Sequence, residues 1–162
     1  MTKGLYTKQY YLNSRNFQLD KDRAIKTANS ILKYKPKRVL DVGCGLGTLT
    51  TYLRSLGIDA HGLDFADTLK KDFSLGDCFH IANAKNMPFE NNSFDLVIST
   101  DFFEHLTENE IDVVLSEMKR VGKIVIAKIA YEAPLNLRQM KLHQTNKNES
   151  WWKNKLKGVI II

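Results

Sequence analysis

The sequence predicts an α/β domain, a mostly parallel sheet with helices on both faces. Two observations predict it. Short runs of branched aliphatic residues alternate with amphipathic helical segments along the chain. Strands that alternate with helices in this way form a parallel sheet covered on both faces. The first run ends in a glycine-rich turn that opens a helix. In a sheet of this kind, ligands sit outside the carboxyl ends of the strands, at the switch in strand order.

The elements follow in order. Asp20 to Tyr34 places Ala24, Ile25, Ala28, Ile31 and Leu32 on one helical stripe, and Pro36 stops it. Arg38 to Val42 reads as a short buried strand closed by Gly43. Thr48 to Leu56 puts Leu49, Tyr52, Leu53 and Leu56 on one face, with Gly57 as its C-terminal stop. Ile58 to Asp64 is a second strand, Ala66 to Phe73 a short helix, Cys78 to Ala82 a weak third strand and Phe94 to Ser99 a strong fourth. Thr107 to Arg120 is a helix with Ile111, Val114, Leu115 and Met118 as its stripe. Thr107 and Glu110 have capping-box spacing, in which each satisfies an orphan N–H of the first turn. Lys123 to Ala130 is a fifth strand. A loop-rich segment then runs to Asn148, Ser150 to Lys157 is a last helix, and Val159 to Ile162 a final strand.

A length of 162 residues predicts one domain over 1–162, with an N-terminal lid segment (1–18), a core (38–130) and a basic segment on the substrate side (131–162). The longest apolar runs, Ile124 to Ala127 and Val159 to Ile162, are far below the ~20 residues that span a bilayer. Met1 to Tyr11 has no apolar signal core. Cys44 and Cys78 are too few for a disulfide framework, so a cytoplasmic setting is expected. Residues 1–122 carry 16 basic and 16 acidic side chains, whereas 123–162 carry eight basic and two acidic, so the net charge of +6 lies wholly in the last quarter. Such a segment suits an anionic partner such as RNA, or is a solvated face.

The turn Asp41-Val42-Gly43-Cys44-Gly45-Leu46-Gly47-Thr48 joins a strand to a helix, and Asp64 ends the next strand. Glycines there let a ligand approach the backbone, and a carboxylate there accepts from ribose hydroxyls. A dinucleotide site prefers a third glycine at the position of Thr48, which disfavours a nicotinamide-dependent oxidoreductase.

At these residues the chain resembles the class I S-adenosylmethionine-dependent methyltransferases. Val39 to Gly47 resembles their first motif and Gly62-Leu63-Asp64 the next. The run from Met87 to Val97 and Phe103-Glu104-His105-Leu106 are similar to their small-molecule-type branch. The resemblance implies a Rossmann-like fold and S-adenosylmethionine as cofactor. It implies that Gly43 and Gly45 face the methionine moiety, that Asp41 holds its ammonium and that Asp64 binds the ribose. Phe65 would lie against the purine, and Ala84 would offer its N–H to adenine. Asn83 would stand where the family often has an acid, a change expected to weaken cofactor binding. Ser99 and Thr100 would edge the methyl-transfer site. Tyr6, Tyr10 and Tyr11 would form a lid, or pack on the sheet edge. The family sheet has seven strands, and the last of them is expected to be absent here.

The acceptor is expected to be a small molecule. The Asn/Asp-Pro-Pro-Tyr/Phe run of amino-methylating DNA enzymes is absent, since residues 99–102 read Ser-Thr-Asp-Phe. His105 is the candidate base, with Asp101 beside it, or it is a packed structural histidine. Asp101-x-x-Glu104-His105 together with His143 also resembles the metal site of small-RNA 3′-end 2′-O-methyltransferases. A divalent metal, if bound, would be held by Asp101, Glu104, His105 and His143. The expectation is no resident metal, with RNA 2′-O-methylation and cofactor binding without turnover as alternatives. His61 and His80 read as structural. Trp151 and Trp152 stack on a substrate, or anchor the last helix with Leu156. The apolar terminal strand is expected to dock on the sheet and leave an edge for homodimerisation.

Overall fold

A computed structural model describes residues 17–66, 76–130 and 142–162. The lid tyrosines, most of the helix expected at 66–73 and residues 131–141 of the basic segment lie outside the described residues. The helices are α1 (Phe17–Leu32), α2 (Thr48–Ser55), α3 (Glu108–Val121) and α4 (Glu149–Lys155). The strands are β1 (Arg38–Val42), β2 (Asp59–Asp64), β3 (Phe79–Ile81), β4 (Phe94–Thr100), β5 (Gly122–Lys128) and β6 (Ile160–Ile161). They form one sheet in the order β3-β2-β1-β4-β5-β6, with every pairing parallel.

Alternate residues of each strand feed two apolar layers. Val39, Leu96, Ile98 and Ile126 face α1 and α2, meeting Ala24, Ala28, Ile31, Leu49 and Leu53. Leu40, Val42, Val97, Val125 and Ala127 face α3 and α4, meeting Ile111, Val114, Met118, Trp152 and Leu156. This two-sided burial is why branched aliphatic residues occupy neighbouring positions in β1, β4 and β5. The order reverses between β1 and β4, so the crevice between their carboxyl ends is the ligand position of the fold.

Several element bounds differ from expectation, and two of the differences have a visible physical cause. The last strand pairs over two residues rather than four, because Val159 is still engaged in a turn through its N–H to the Leu156 carbonyl. It docks directly on β5 in parallel, with Ile126 opposite Ile160 and Ala127 opposite Ile161. The third strand shrinks to Phe79–Ile81, because a 3-10 turn over Gly76–Cys78 precedes it. The first helix begins at Phe17 rather than Asp20.

Trp152 is fully buried with Leu156, while Trp151 is half-buried with the ammonium groups of Lys147 and Lys155 near its ring. Among the described residues of the basic segment, three lysines meet acids. Lys147 pairs with Glu108 at 2.9 Å, Lys153 with Glu149 at 2.6 Å and Lys155 with Asp112 at 2.7 Å. Two of these pairs tie α4 and the residues before it to α3.

Candidate active site

Gly43, Gly45 and Gly47 all take positive φ, at 74°, 52° and 69°. Left-handed backbone costs an L side chain but not glycine, which is what the spacing in the sequence reflects. The loop is tied to the next strand by its backbone: Gly43 and Cys44 both donate to the Leu63 carbonyl, at 2.8 and 3.2 Å. Asp64 completes the tie. One of its carboxylate oxygens accepts from the Gly45 N–H and the other from the Ala66 N–H, each at 3.0 Å.

Asp41 is also buried, and it accepts from the Thr50 hydroxyl at 2.9 Å. Sequence reading missed Thr50, which lies in the first turns of α2 facing back toward β1. The loop thus places two buried carboxylates and strained-for-others backbone at the carboxyl ends of β1 and β2. A carboxylate offers about four acceptor directions, so these loop bonds are compatible with ribose hydroxyls at Asp64. The donor set fits the cofactor that the motif implies.

Asn83 lies past β3 and is exposed, and its side-chain oxygen accepts from the Lys85 N–H at 3.0 Å in a tight local turn. Ala84 is buried beside it. Phe65 directly follows Asp64 and is half-buried.

Across the crevice, Ser99 is buried with its hydroxyl lacking a hydrogen-bond partner, and Thr100 ends β4. Asp101 turns the chain with φ 50°, donates its N–H to the Lys128 carbonyl and pairs with Arg23 of α1 at 3.8 Å. Phe102 then lies over the glycine loop: a β-carbon built on Gly43 would collide with its ring. No motif singled out Phe102.

Phe103–His105 forms a 3-10 turn. Glu104 is 2% exposed. Burial pushes its carboxyl up to about 8, with the Asp101 charge adding to the effect. Burial likewise lowers His105 and His143 from the usual imidazole value. The two rings meet edge to face at 4.9 Å between centroids. One ligand-capable atom each from Glu104, His105 and His143 lies within 4.8 Å of the others. Asp101, the fourth member of the set read from the sequence, is outside this group.

His61 and His80 hydrogen-bond to each other at 3.0 Å, and His61 also reaches Asp59 at 3.1 Å. They pack beside Phe94 and Phe89, away from the crevice.

Known proteins carry the same core. The chain is 31% identical over 113 residues to norajmaline N-methyltransferase of Rauvolfia serpentina, covering 62% of this chain and 38% of that one. It is 34% identical over 106 residues to tocopherol O-methyltransferase of Arabidopsis thaliana, covering 57% and 30%. A solved SAM-dependent methyltransferase from Archaeoglobus fulgidus superposes with a TM-score of 0.72 at 20% identity, over 88% of this chain and 67% of that one. The chain spans less than half the length of the curated relatives it matches, from 24% of one to 48% of another. The family described as methyltransferase domain matches residues 40–124, from the middle of β1 into β5. That stretch is more than half of the chain and contains the glycine loop, Asp64 and the 3-10 turn after β4, so the chain belongs to the methyltransferase domain family.

Proposed function

We propose that the chain is an S-adenosylmethionine-dependent methyltransferase acting on a small molecule. The observation that carries the proposal is the bond from Gly45 to Asp64, which holds the glycine turn and the ribose-type acid of this family in one unit. S-adenosylmethionine, when bound, supplies a methyl group activated by its sulfonium.

In this reading the chain's own residues bind and orient. Gly43 and Gly45 offer backbone to the amino-acid end, with Asp41 near the ammonium. Asp64 accepts from the ribose, Phe65 lies against the purine, and Ala84 and Asn83 meet the adenine edge. The Asn83 oxygen is shared with Lys85 and carries no charge, so its contribution is smaller than that of an acid. Thr100, Asp101 and His105 border the acceptor, where in-line alignment and exclusion of water do most of the work. His105, held neutral by burial, is the candidate proton acceptor for an amine or hydroxyl.

The relatives named for norajmaline and tocopherol support a small molecule as the class of acceptor. The pairing of Lys147, Lys153 and Lys155 with acids leaves less charge for a polyanion than the composition suggests.

The test has two parts. Calorimetry with S-adenosylmethionine should show 1:1 binding that is lost on Gly45→Val. Methyl-labelling of a cell extract, split into RNA, protein and small-molecule fractions, should place label in the last. Absence of cofactor binding would overturn the proposal. Binding without transfer to any fraction would make the chain a cofactor-binding protein, and label in RNA would replace the acceptor class.

A further inference from the structure

Glu104, His105 and His143 form a cluster that the cofactor loop does not use. Glu104 and His105 are neighbours on the 3-10 turn after β4, and His143 arrives from 38 positions later. Backbone bonds bring it there. The N–H groups of Gln144 and Thr145 both donate to the Glu104 carbonyl, at 2.9 and 3.1 Å. The Thr145 hydroxyl donates to the Leu106 carbonyl at 2.7 Å. None of these bonds involves the His143 ring, so the docking places the ring without consuming it.

The Glu104 side chain is the unusual member. One of its oxygens accepts from the Ala130 N–H at a long 3.4 Å, and the other is buried with no hydrogen-bond partner. An orphan buried carboxylate oxygen is costly, and it needs a proton or a cation. Among the described residues, the two imidazoles are the side chains grouped with it as possible ligands of one cation.

The His105 ring is held by the backbone of Leu142 and of Asp101. Its Nδ1 lies 3.2 Å from the Leu142 carbonyl. A proton donated there places the lone pair on Nε2, and a histidine ligand usually has its second nitrogen held in this way.

We propose that Glu104, His105 and His143 bind one divalent transition-metal ion. Two imidazoles and one carboxylate suit zinc, manganese, iron or cobalt, whereas calcium and magnesium favour all-oxygen sites. Ligand atoms about 2.1 Å from a tetrahedral ion are about 3.4 Å apart, so the present 4.8 Å spread closes by rotation of the half-exposed His143 ring. Three protein ligands leave a position open for an oxygen or nitrogen donor from the acceptor side. With Nε2 on the ion, His105 would no longer be the proton acceptor, and the ion would instead lower the pKa of the bound acceptor group. The sequence pattern offered four ligands and an expectation of no resident ion. The geometry argues for three ligands and an ion, with Asp101 engaged instead by Arg23.

The metal site stands apart from the cofactor reading, and its test contains no S-adenosylmethionine. The full chain, stripped with chelator, is titrated with cobalt(II) alone and followed by visible absorption and calorimetry. One equivalent should bind, with a ligand-field band. His143→Ala should lower affinity by at least the ~10–100-fold that even outer partners of a metal ligand are worth. Glu104→Gln should do the same, and His61→Ala, at the other histidine pair, should change nothing. No stoichiometric binding, or binding unchanged in His143→Ala, overturns the site, as does loss in His61→Ala alone. His143→Ala keeps the backbone docking, so its melting temperature in chelator should match the parent and separates lost ligation from lost fold. A chain that binds S-adenosylmethionine but no cobalt removes this site and leaves the proposed function standing.

Discussion

The Gly45 N–H donates to the Asp64 carboxylate at 3.0 Å, so the acid at the end of β2 supports the loop at the end of β1. Asp64→Ala removes the acceptor of two N–H groups at once, Gly45 and Ala66. Each orphaned buried donor costs about 1–3 kcal/mol. The variant should melt earlier and also bind S-adenosylmethionine ~10–100-fold more weakly, since a charge-assisted bond is worth about 1.5–3 kcal/mol. Calorimetry beside a thermal melt checks both, and full retention of either would remove that role.

Gly43 meets Phe102 across the crevice, and its φ is 74°. Gly43→Ala should therefore destabilise for two reasons, a left-handed alanine and a collision with the ring. Phe102→Ala relieves only the second. In a double-mutant cycle followed by urea denaturation, the two changes should couple by about 0.5–3 kcal/mol. Strict additivity would mean that the ring moves aside at no cost.

Stability should fall in mild acid through His61 and His80. Burial lowers both, although Asp59 raises His61, and each ring also feels the positive charge of Arg38. A histidine lowered on folding binds its proton more readily when unfolded. Its contribution is therefore complete above about pH 6.5 and is lost as pH falls below that toward the folded value. Glu104, raised to about 8, acts in the opposite sense over this range in parent and variant alike, so the check is comparative: from pH 7.5 to 5.5 the urea midpoint should drop further in the parent than in His61→Gln combined with His80→Gln. An equal drop in that variant would assign the effect elsewhere.

Arg120 clamps the segment before β4. It donates to the Met87 and Phe89 carbonyls, to Asn91 and to Glu117, at 2.7 to 3.0 Å. Glu117 in turn accepts the Met87 N–H at 2.7 Å. Arg120→Ala should cost about 1.5–3 kcal/mol, the scale of bonds to a charged group. It should also speed tryptic cleavage after Lys85. An unchanged cleavage rate would show that the segment is held by its apolar contacts alone.

Trp152 is 1% exposed and joins α4 to the layer beneath α3. Trp152→Ala should destabilise by about 3–5 kcal/mol. Trp151→Ala, at a half-buried ring, should cost clearly less. Comparable losses in the two melts would contradict the anchoring role.

The fold was legible where one local signal decided it. Arg38–Val42 and Phe94–Thr100 are apolar runs between turn residues, and Thr107 and Glu110 form the capping box their spacing announces. The glycine loop was legible because positive φ leaves a compositional trace. What the sequence hid lies in contacts between distant elements. The pairing of His61 with His80 depends on the register of β2 against β3, where Leu63 is opposite His80. Thr50 on Asp41 depends on the angle of α2, and Phe102 on Gly43 depends on the turn at Asp101. The Asp101-x-x-Glu104-His105 spacing implied three neighbouring ligands. The left-handed backbone at Asp101 instead turns its carboxylate toward Arg23, and His143 joins the group through the docking of Gln144 and Thr145 on the turn after β4.

The docking of residues 142–145 on the turn after β4 also has a consequence for the order of synthesis. As the chain leaves the ribosome, the glycine loop and Asp64 are complete once β2 has emerged. Glu104 and His105 follow some 40 residues later, and His143 almost as far again. A nascent chain halted at residue 141 would hold the whole cofactor loop and two of the three clustered side chains. The residues that carry His143 to the turn after β4 are made last, and they hold it by backbone bonds together with the Thr145 hydroxyl on the Leu106 carbonyl.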